Sequence, residues 1–420
     1  MADRDLTSEV PGGELPGDEA DVVLTTPKRP VSARAASRAR FAVNVVFVIH
    51  GVLFSSWTAH VPQIKALLDL SDSQLGLALL GAPVGSVTAT LLIGPILAKV
   101  GSRRAVRIAA VGYCVAGVLV GVARSLPELF AALAIWGLFQ GALDVSMNTQ
   151  AITVEQALGR PIMGKLHGSW SIGSLAGAGA GVIAVAAGIT LTWQLLVLGA
   201  LAVVVGVVLI ARLLDDAVVR RAPRGRRRRR PPSAVLLVLG AIAFAGLLAE
   251  GGTADWAAVY LRDSLHVLPA VAGLGYTAFA LTMVIVRLAG ARLLRNHTPR
   301  AVISVCAAIA TVGMTAALII GNPVVAIIGF ALLGIGLASM VPMLFSAAGN
   351  QPNTAPGTAV ATVSSVGWIG FMVGPPLIGL IAGHFSLSLA LGIFPLLTAF
   401  VAILVPKVPA LDRARPTTEE

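Results

Sequence analysis

The chain has 420 residues, of which 56% are hydrophobic and only 12% charged, against roughly 45–50% and about 25% in soluble domains. Those proportions exclude an ordinary water-soluble enzyme. The net charge of +11 raises nucleic acid as a partner, but the densest basic run, the five arginines at 226–230, has no interleaved aromatics to stack on bases.

Residues 1–39 are acidic, rich in Pro and Gly and poor in aromatics, so they are expected to form a disordered cytoplasmic tail. No cleaved signal is read before the first apolar run. Twelve apolar stretches follow, near 41–62, 75–98, 105–123, 127–150, 161–187, 190–212, 234–260, 270–294, 301–320, 323–347, 358–382 and 386–405. About 20 apolar residues span a bilayer, and in lipid such a segment satisfies its backbone only as a helix. The expected architecture is an all-α membrane protein of twelve transmembrane helices in two six-helix, pseudo-symmetric halves. The halves are 40–214 and 234–406, joined by a basic cytoplasmic linker at 215–233, with a cytoplasmic tail at 407–420.

Charge fixes the expected orientation. With the N-terminus inside, the inner loops hold Lys99, Arg103, Arg104, Arg107, Arg160, Lys165, Arg212, the arginine run, Arg292, Arg295 and Arg300. The outer loops keep Lys65, Arg124 and Arg262. Such an excess predicts both termini on the cytoplasmic side of a bacterial plasma membrane. The arginine run is also expected to meet anionic lipid heads.

The halves repeat one another. Trp57, Ala59, Leu75 and Gly76 recur 199 positions later as Trp256, Ala258, Leu274 and Gly275. Gly94, Lys99 and Arg104 match Gly290, Arg295 and Arg300 at an offset of 196, and Gly141 matches Gly336 at 195. Ile172, Gly173 and Gly177 match Ile369, Gly370 and Gly374 at 197. Parallel repeats of this kind put a binding cavity between the halves near mid-bilayer.

The loop between spans two and three reads Gly94, Pro95, Ile96, Leu97, Ala98, Lys99, Val100, Gly101, Ser102, Arg103, Arg104. It resembles the major facilitator motif, and makes Gly94, Lys99, Gly101, Arg103 and Arg104 a candidate cytoplasmic gating loop. Ala98 stands where the family has an Asp that helps latch its two halves. A second stretch, Gly141 to Asn148 followed by Gly159 to Met163 and Leu166 to Gly173, is similar to the fucose permease-like branch of sugar–proton symporters and its uncharacterised bacterial inner-membrane relatives. The resemblance implies a polar-solute site at Asp144, Asn148, His167 and Trp170. The acidic span-one residues of those symporters have no counterpart between Gly51 and Pro62.

Buried polar groups in a membrane raise a functional question at each position. Gln140, Asp144 and Asn148 are spaced four apart, so they share one helix face. Glu250 lies mid-span beside Gly251 and Gly252, and paired glycines weaken a helix at transporter sites. Asp144 and Glu250 are the candidates for proton coupling, with hydrogen-bond anchoring as the structural reading. Asp255, nearer the outer end, reads as either site or water-exposed. His50 reads as a hydrogen-bonded helix histidine. Trp170 and Trp368 are placed at the cavity, Trp57 and Trp256 in packing or an outer gate, and Arg287 snorkelling to the inner face.

Neither metal-ligand spacing nor a nucleophile–base motif is present. The sequence therefore predicts a monomeric secondary transporter, not an enzyme, without cofactor or metal, moving a small polar, sugar-like solute, with proton coupling as a hypothesis for Asp144 and Glu250. A proton-driven exporter of drugs or metabolites and a non-transporting receptor are the competing readings.

Overall fold

The computed structural model describes residues 23–27, 31–220, 233–352, 354 and 356–412. The first half contains α1 Ala33–Leu67, α2 Asp72–Val100, α3 Ser102–Val122, α4 Leu126–Leu158 and α5 Met163–Ala186, then α6 Leu191–Ile210. The second contains α7 Ala234–Ser264, α8 Pro269–Gly290, α9 Pro299–Ile320, α10 Pro323–Gly349, α11 Gly357–His384 and α12 Leu387–Lys407. This is the expected all-helical, twelve-span architecture.

Local chemistry sets the ends. Ser32 caps α1 by accepting from the Ala35 amide, and Ser71 with Gln74 forms a reciprocal capping box at α2. α4 runs beyond the apolar stretch, which ends near 150, and stops where Gly159 turns left-handed at φ 63°. Its last turn presents Glu155, whose Oε2 accepts the Ile162 and Met163 amides at 2.7 and 3.1 Å and so starts α5.

Small residues set the helix pairing. On α5, a Cβ on Gly173 or Gly177 would strike the Val48 or Val52 carbonyl of α1. On α11, Gly370 and Gly374 seat in the same way against the Phe244 and Leu248 carbonyls of α7. The repeat-matched glycines thus occupy equivalent contacts, where only a missing side chain lets backbones meet. The pairing of Gly141 with Gly336 needs correction. Gly141 packs on Ser86 of α2, whereas Gly336 packs on α9 at Cys306 and Ala310. The structural counterparts are Gly137 on Ala82 and Gly334 on Phe279, because the true offset there is 197.

The terminal segments are more ordered than their composition predicts. Val23–Pro27 (β1) pairs antiparallel with Asp216–Arg220 (β2), and α1 begins at Ala33. Disorder through residue 39 is therefore corrected over those stretches, and the linker holds a strand. Pairing with β2 supplies the backbone partners that a solvated tail would lack. The arginines at 226–230 lie outside the described residues. Past α12, a short 3₁₀ turn at Pro409–Leu411 places Asp412 against Arg300, at 2.6 and 2.8 Å.

Both ends of the described chain and the linker strand lie on one face, here the terminal face. Contacts between the halves run from mid-depth to the opposite face. There Lys65 binds Asp263 of the second half at 2.6 Å and Asp72 of its own half at 2.5 Å. Ser73 donates to the Gly379 carbonyl at 3.3 Å, Tyr276 meets Ser55 at 3.4 Å, and Gly273 lies against Ala59 and Val182.

Candidate functional site

α4 carries the polar face expected of it. Asn148 Nδ2 donates to the Asp144 carbonyl at 2.9 Å and to its Oδ1 at 3.3 Å. The Asp144 carboxylate is half-buried and has no cation partner among the described residues. One turn earlier, Gln140 lines a cavity between the halves.

Four spans, α1, α3, α4 and α5, contribute a connected aromatic wall. Trp170 Nε1 on α5 donates to His50 Nδ1 on α1 at 2.7 Å, which leaves the proton of a neutral imidazole on Nε2. That buried Nε2 has no hydrogen-bond partner among the described residues. His50 stacks on Tyr113 at 5.5 Å, Tyr113 on Trp136 at 5.3 Å, and Trp136 meets Trp57 edge-on at 5.7 Å. His167 is exposed and stands edge-to-face with Phe47 at 5.3 Å, apart from this chain of rings.

Glu250 and Arg287 form the charged centre. Arg287 on α8 donates from Nε to the Ala338 carbonyl of α10 at 3.2 Å and from Nη1 to Ser171 Oγ of α5 at 2.9 Å. Its Nη2 lies 3.8 Å from Glu250 Oε1 on α7, an ion pair rather than a hydrogen bond. Snorkelling of Arg287 is corrected by this geometry. With a carboxylate and two oxygens in reach inside the protein, the guanidinium fork is better satisfied there than at the helix end. The group joins the halves, since Ser171 belongs to the first and Glu250 to the second. Trp368 is 52% exposed and sits one turn from Phe371, edge-on at 5.3 Å.

Above this centre, towards the opposite face, a cavity of about 50 Å³ lies between the halves. Phe54, Trp57, Thr58, Tyr113, Trp136 and Gln140 line it from the first half, and Asp255, Phe371 and Pro375 from the second. Asp255 therefore borders the inter-half space, and the water-exposed reading of it is set aside. Sequence reasoning missed Tyr113, Trp136 and the partnership of Arg287. A count of the acids on α7 against nearby cations would have flagged Arg287. Trp256 instead is fully buried packing, donating to the Pro375 carbonyl at 3.2 Å.

The candidate gating loop is held within its own half. Gly101 turns at φ 76°, a conformation that favours glycine, and Asp216 closes on the start of α3 beside it. Asp216 is 2% exposed and accepts the Ser102 amide at 2.9 Å, the Ser102 hydroxyl at 2.5 Å and the Thr153 hydroxyl at 3.1 Å. Arg103 binds Asp215 at 2.9 Å, while Lys99, Arg104 and Ala98 are exposed and Gly94 is half-buried on α2. Among the described residues no cluster of His, Cys, Asp or Glu is arranged to hold a metal ion.

Comparison with known proteins gives a consistent answer. The family model described as Major Facilitator Superfamily matches residues 43–350 and 239–420. An uncharacterized MFS-type transporter of Yersinia pestis is 36% identical over 370 residues, covering 86% of this chain and 93% of that protein. The membrane protein MosC of Rhizobium meliloti is 34% identical over 360 residues, covering 83% and 85%. Among solved structures, a variant of the nucleoside transporter NupG superposes with TM-score 0.69 at 12% identity, covering 88% of this chain and all of that one. A D-xylose-proton symporter gives 0.66 at 14%, covering 90% and 99%. A bacterial homolog of the lysosomal transporter Spinster, inward-facing and occupied, gives 0.64 at 17%, covering 92% and 100%. At these identities the structures establish the fold alone.

Proposed function

The chain belongs to the major facilitator superfamily, and we propose that it is a proton-coupled secondary transporter of a small polar, sugar-like solute. It is a multi-pass membrane protein of a transporter family, not an enzyme. The finer reading rests on one observation: Arg287 bridges Glu250 of the second half and Ser171 of the first.

A carboxylate in that position is a switch. Ionised, Glu250 holds the guanidinium, which stays charged at any working pH. A proton taken up by the carboxylate removes that attraction and frees Arg287 Nη2 to engage solute hydroxyls, while Nη1 stays on Ser171. Proton and solute then bias the same equilibrium between two arrangements of the halves, each by its difference in affinity for them. Asp144, with Asn148 donating to it, is a second proton acceptor in the first half. Trp170 and Trp368 supply flat apolar faces for a ring-shaped solute on either side of the cleft.

The arrangement seen here is closed on the face opposite the termini. Excess basic residues on the terminal face support a cytoplasmic position for it, and on that reading this is an inward-facing state. Nucleosides and D-xylose, named for two of the structural neighbours, are the first solutes to try.

The test is transport into proteoliposomes under an imposed pH gradient, with radiolabelled D-xylose and uridine. Glu250→Gln and Asp144→Asn should each abolish accumulation and retain solute exchange. Gradient-driven uptake that persists unchanged in both variants would overturn the proton coupling.

A further inference from the structure

Three carboxylates lie on α7, and their partners differ. Glu250 faces Arg287, and Asp263 binds Lys65 at 2.6 Å. Asp255 has no ion pair or hydrogen bond among the described residues, although it borders the cavity between the halves. An ionised carboxylate left alone at that depth is costly, and a cation seated beside it offsets that cost.

The wall opposite identifies the partner. Trp57, Trp136 and Tyr113 are buried at 6%, 5% and 1% exposure and line the same cavity with Phe54 and Phe371. Tyr113 Oη is buried there without any hydrogen-bond partner among the described residues. Thr58 already donates its hydroxyl to the Ser55 carbonyl at 2.9 Å. A hard metal ion needs six or more oxygens and finds too few here. Aromatic faces with one carboxylate are instead the surroundings that favour an organic ammonium, through cation–π attraction.

We propose that this cavity is an ammonium subsite, in which Asp255 pairs with the protonated amine of the transported solute while Trp57, Trp136 and Tyr113 enclose it. The proposal deepens the transporter reading and rests on it for the identity of the ligand as cargo. At about 50 Å³ the space holds roughly four waters. It therefore takes the amine and its adjoining carbons, with the rest of the solute extending past Phe371 towards Trp368 and Glu250. Tyr113 Oη then accepts from one ammonium N–H, and Gln140 offers its amide oxygen to another. The solute class narrows to small polar compounds bearing one amine.

The test pairs probes of matched shape: ethylammonium with ethanol, and D-glucosamine with D-glucose, at constant ionic strength. Binding to the detergent-purified full chain is read from quenching of tryptophan fluorescence and from the melting temperature. The ammonium probes should saturate and stabilise, and their neutral partners should need concentrations about tenfold higher or more. Asp255→Asn should erase that preference, and Asp255→Glu should restore part of it. Equal binding of ammonium and neutral probes, no saturable ammonium binding, or an unchanged preference in Asp255→Asn would each overturn the subsite. The two readings fail separately. Ammonium binding without flux of any probe in proteoliposomes refutes transport and keeps the site, whereas D-glucose flux without ammonium binding does the reverse.

Discussion

Lys65 is the one side chain of the first half that forms an ion pair with the second half on the face opposite the termini, among the described residues. Its Nζ lies 2.6 Å from Asp263 across the interface and 2.5 Å from Asp72 within its own half. At 2.6 Å a unit charge pair is worth about 1.6 kcal/mol in bulk water, and more where water is partly excluded. The Lys65 side chain is 15% exposed but Asp263 is 37% exposed, so solvent screening discounts the pair heavily. A net inter-half contribution of about 1 kcal/mol is reasonable. Lys65→Met also leaves two carboxylates facing each other, which raises the expected bias to about 1–2 kcal/mol, or roughly a 5- to 30-fold shift towards opening of that face.

Leu67 and Leu268 provide the measurement. They lie on opposite halves at that face and are 76% and 72% exposed. Spin labels on cysteines at both positions, with Cys114 and Cys306 replaced by alanine, report the distance across the gap. Lys65→Met should enlarge the long-distance population. Asp263→Asn should act in the same direction more weakly, because Asp72 still holds Lys65. High salt should reproduce part of the wild-type change and none in the variants. Unchanged distance distributions in both variants would refute the claim that this bridge holds the face shut.

Three further outcomes follow from the packing. Asp216→Ala removes a buried charged acceptor from three donors at the start of α3, and should lower stability by about 2–3 kcal/mol, read as the melting temperature of purified protein; a change under about 0.5 kcal/mol would contradict the capping role. Gly173→Val and Gly370→Val should each destabilise by about 1–3 kcal/mol, and to similar extents, since each Cβ meets the carbonyl of the first helix in its half. Tolerance of one and not the other would break the claimed equivalence. Arg287→Lys keeps the charge near Glu250 but loses the fork that reaches Ser171 and Ala338, so gradient-driven accumulation should fall about tenfold while exchange continues. Wild-type accumulation in that variant would show that the fork is dispensable.

Most of the fold was legible because lipid leaves so few options. Hydropathy located the spans, and the glycines at 173, 177, 370 and 374 gave both the duplication and, in the structure, the helix pairs. What escaped was chemistry joining distant chain segments. Asp216 reaches Ser102 across 114 positions, and nothing in either local sequence announces it. Arg287 lies near one end of its span, where snorkelling is the economical guess; only the fold reveals that Glu250 and Ser171 stand closer than water. Asp144, Asn148, His167 and Trp170 were found through family resemblance. The structure ties Asn148 to Asp144 and Trp170 to His50, and leaves His167 outside those contacts.

Two exposed ion pairs occupy equivalent places in the two halves. Arg103 binds Asp215, and Arg300 binds Asp412; both members are displaced by 197 positions from one half to the other. Each pair clasps the loop after the second helix of a half to the chain leaving its sixth, so the two bodies carry the same brace. An Asp at position 98 would have directed one loop towards the other half, but Ala98 cannot, and Asp216 instead anchors that loop internally. Polar contacts on the opposite face and at mid-depth are then left to govern switching: Lys65 with Asp263, Ser55 with Tyr276, and Arg287 with Ser171. Bracing each half and leaving a few bridges between them suits the exchange between two arrangements of the halves that the proposed transport requires. It also separates the work of the α7 carboxylates. Glu250 already has a cation in the protein and gains only a proton, while Asp255 has none and awaits the charge that a solute brings.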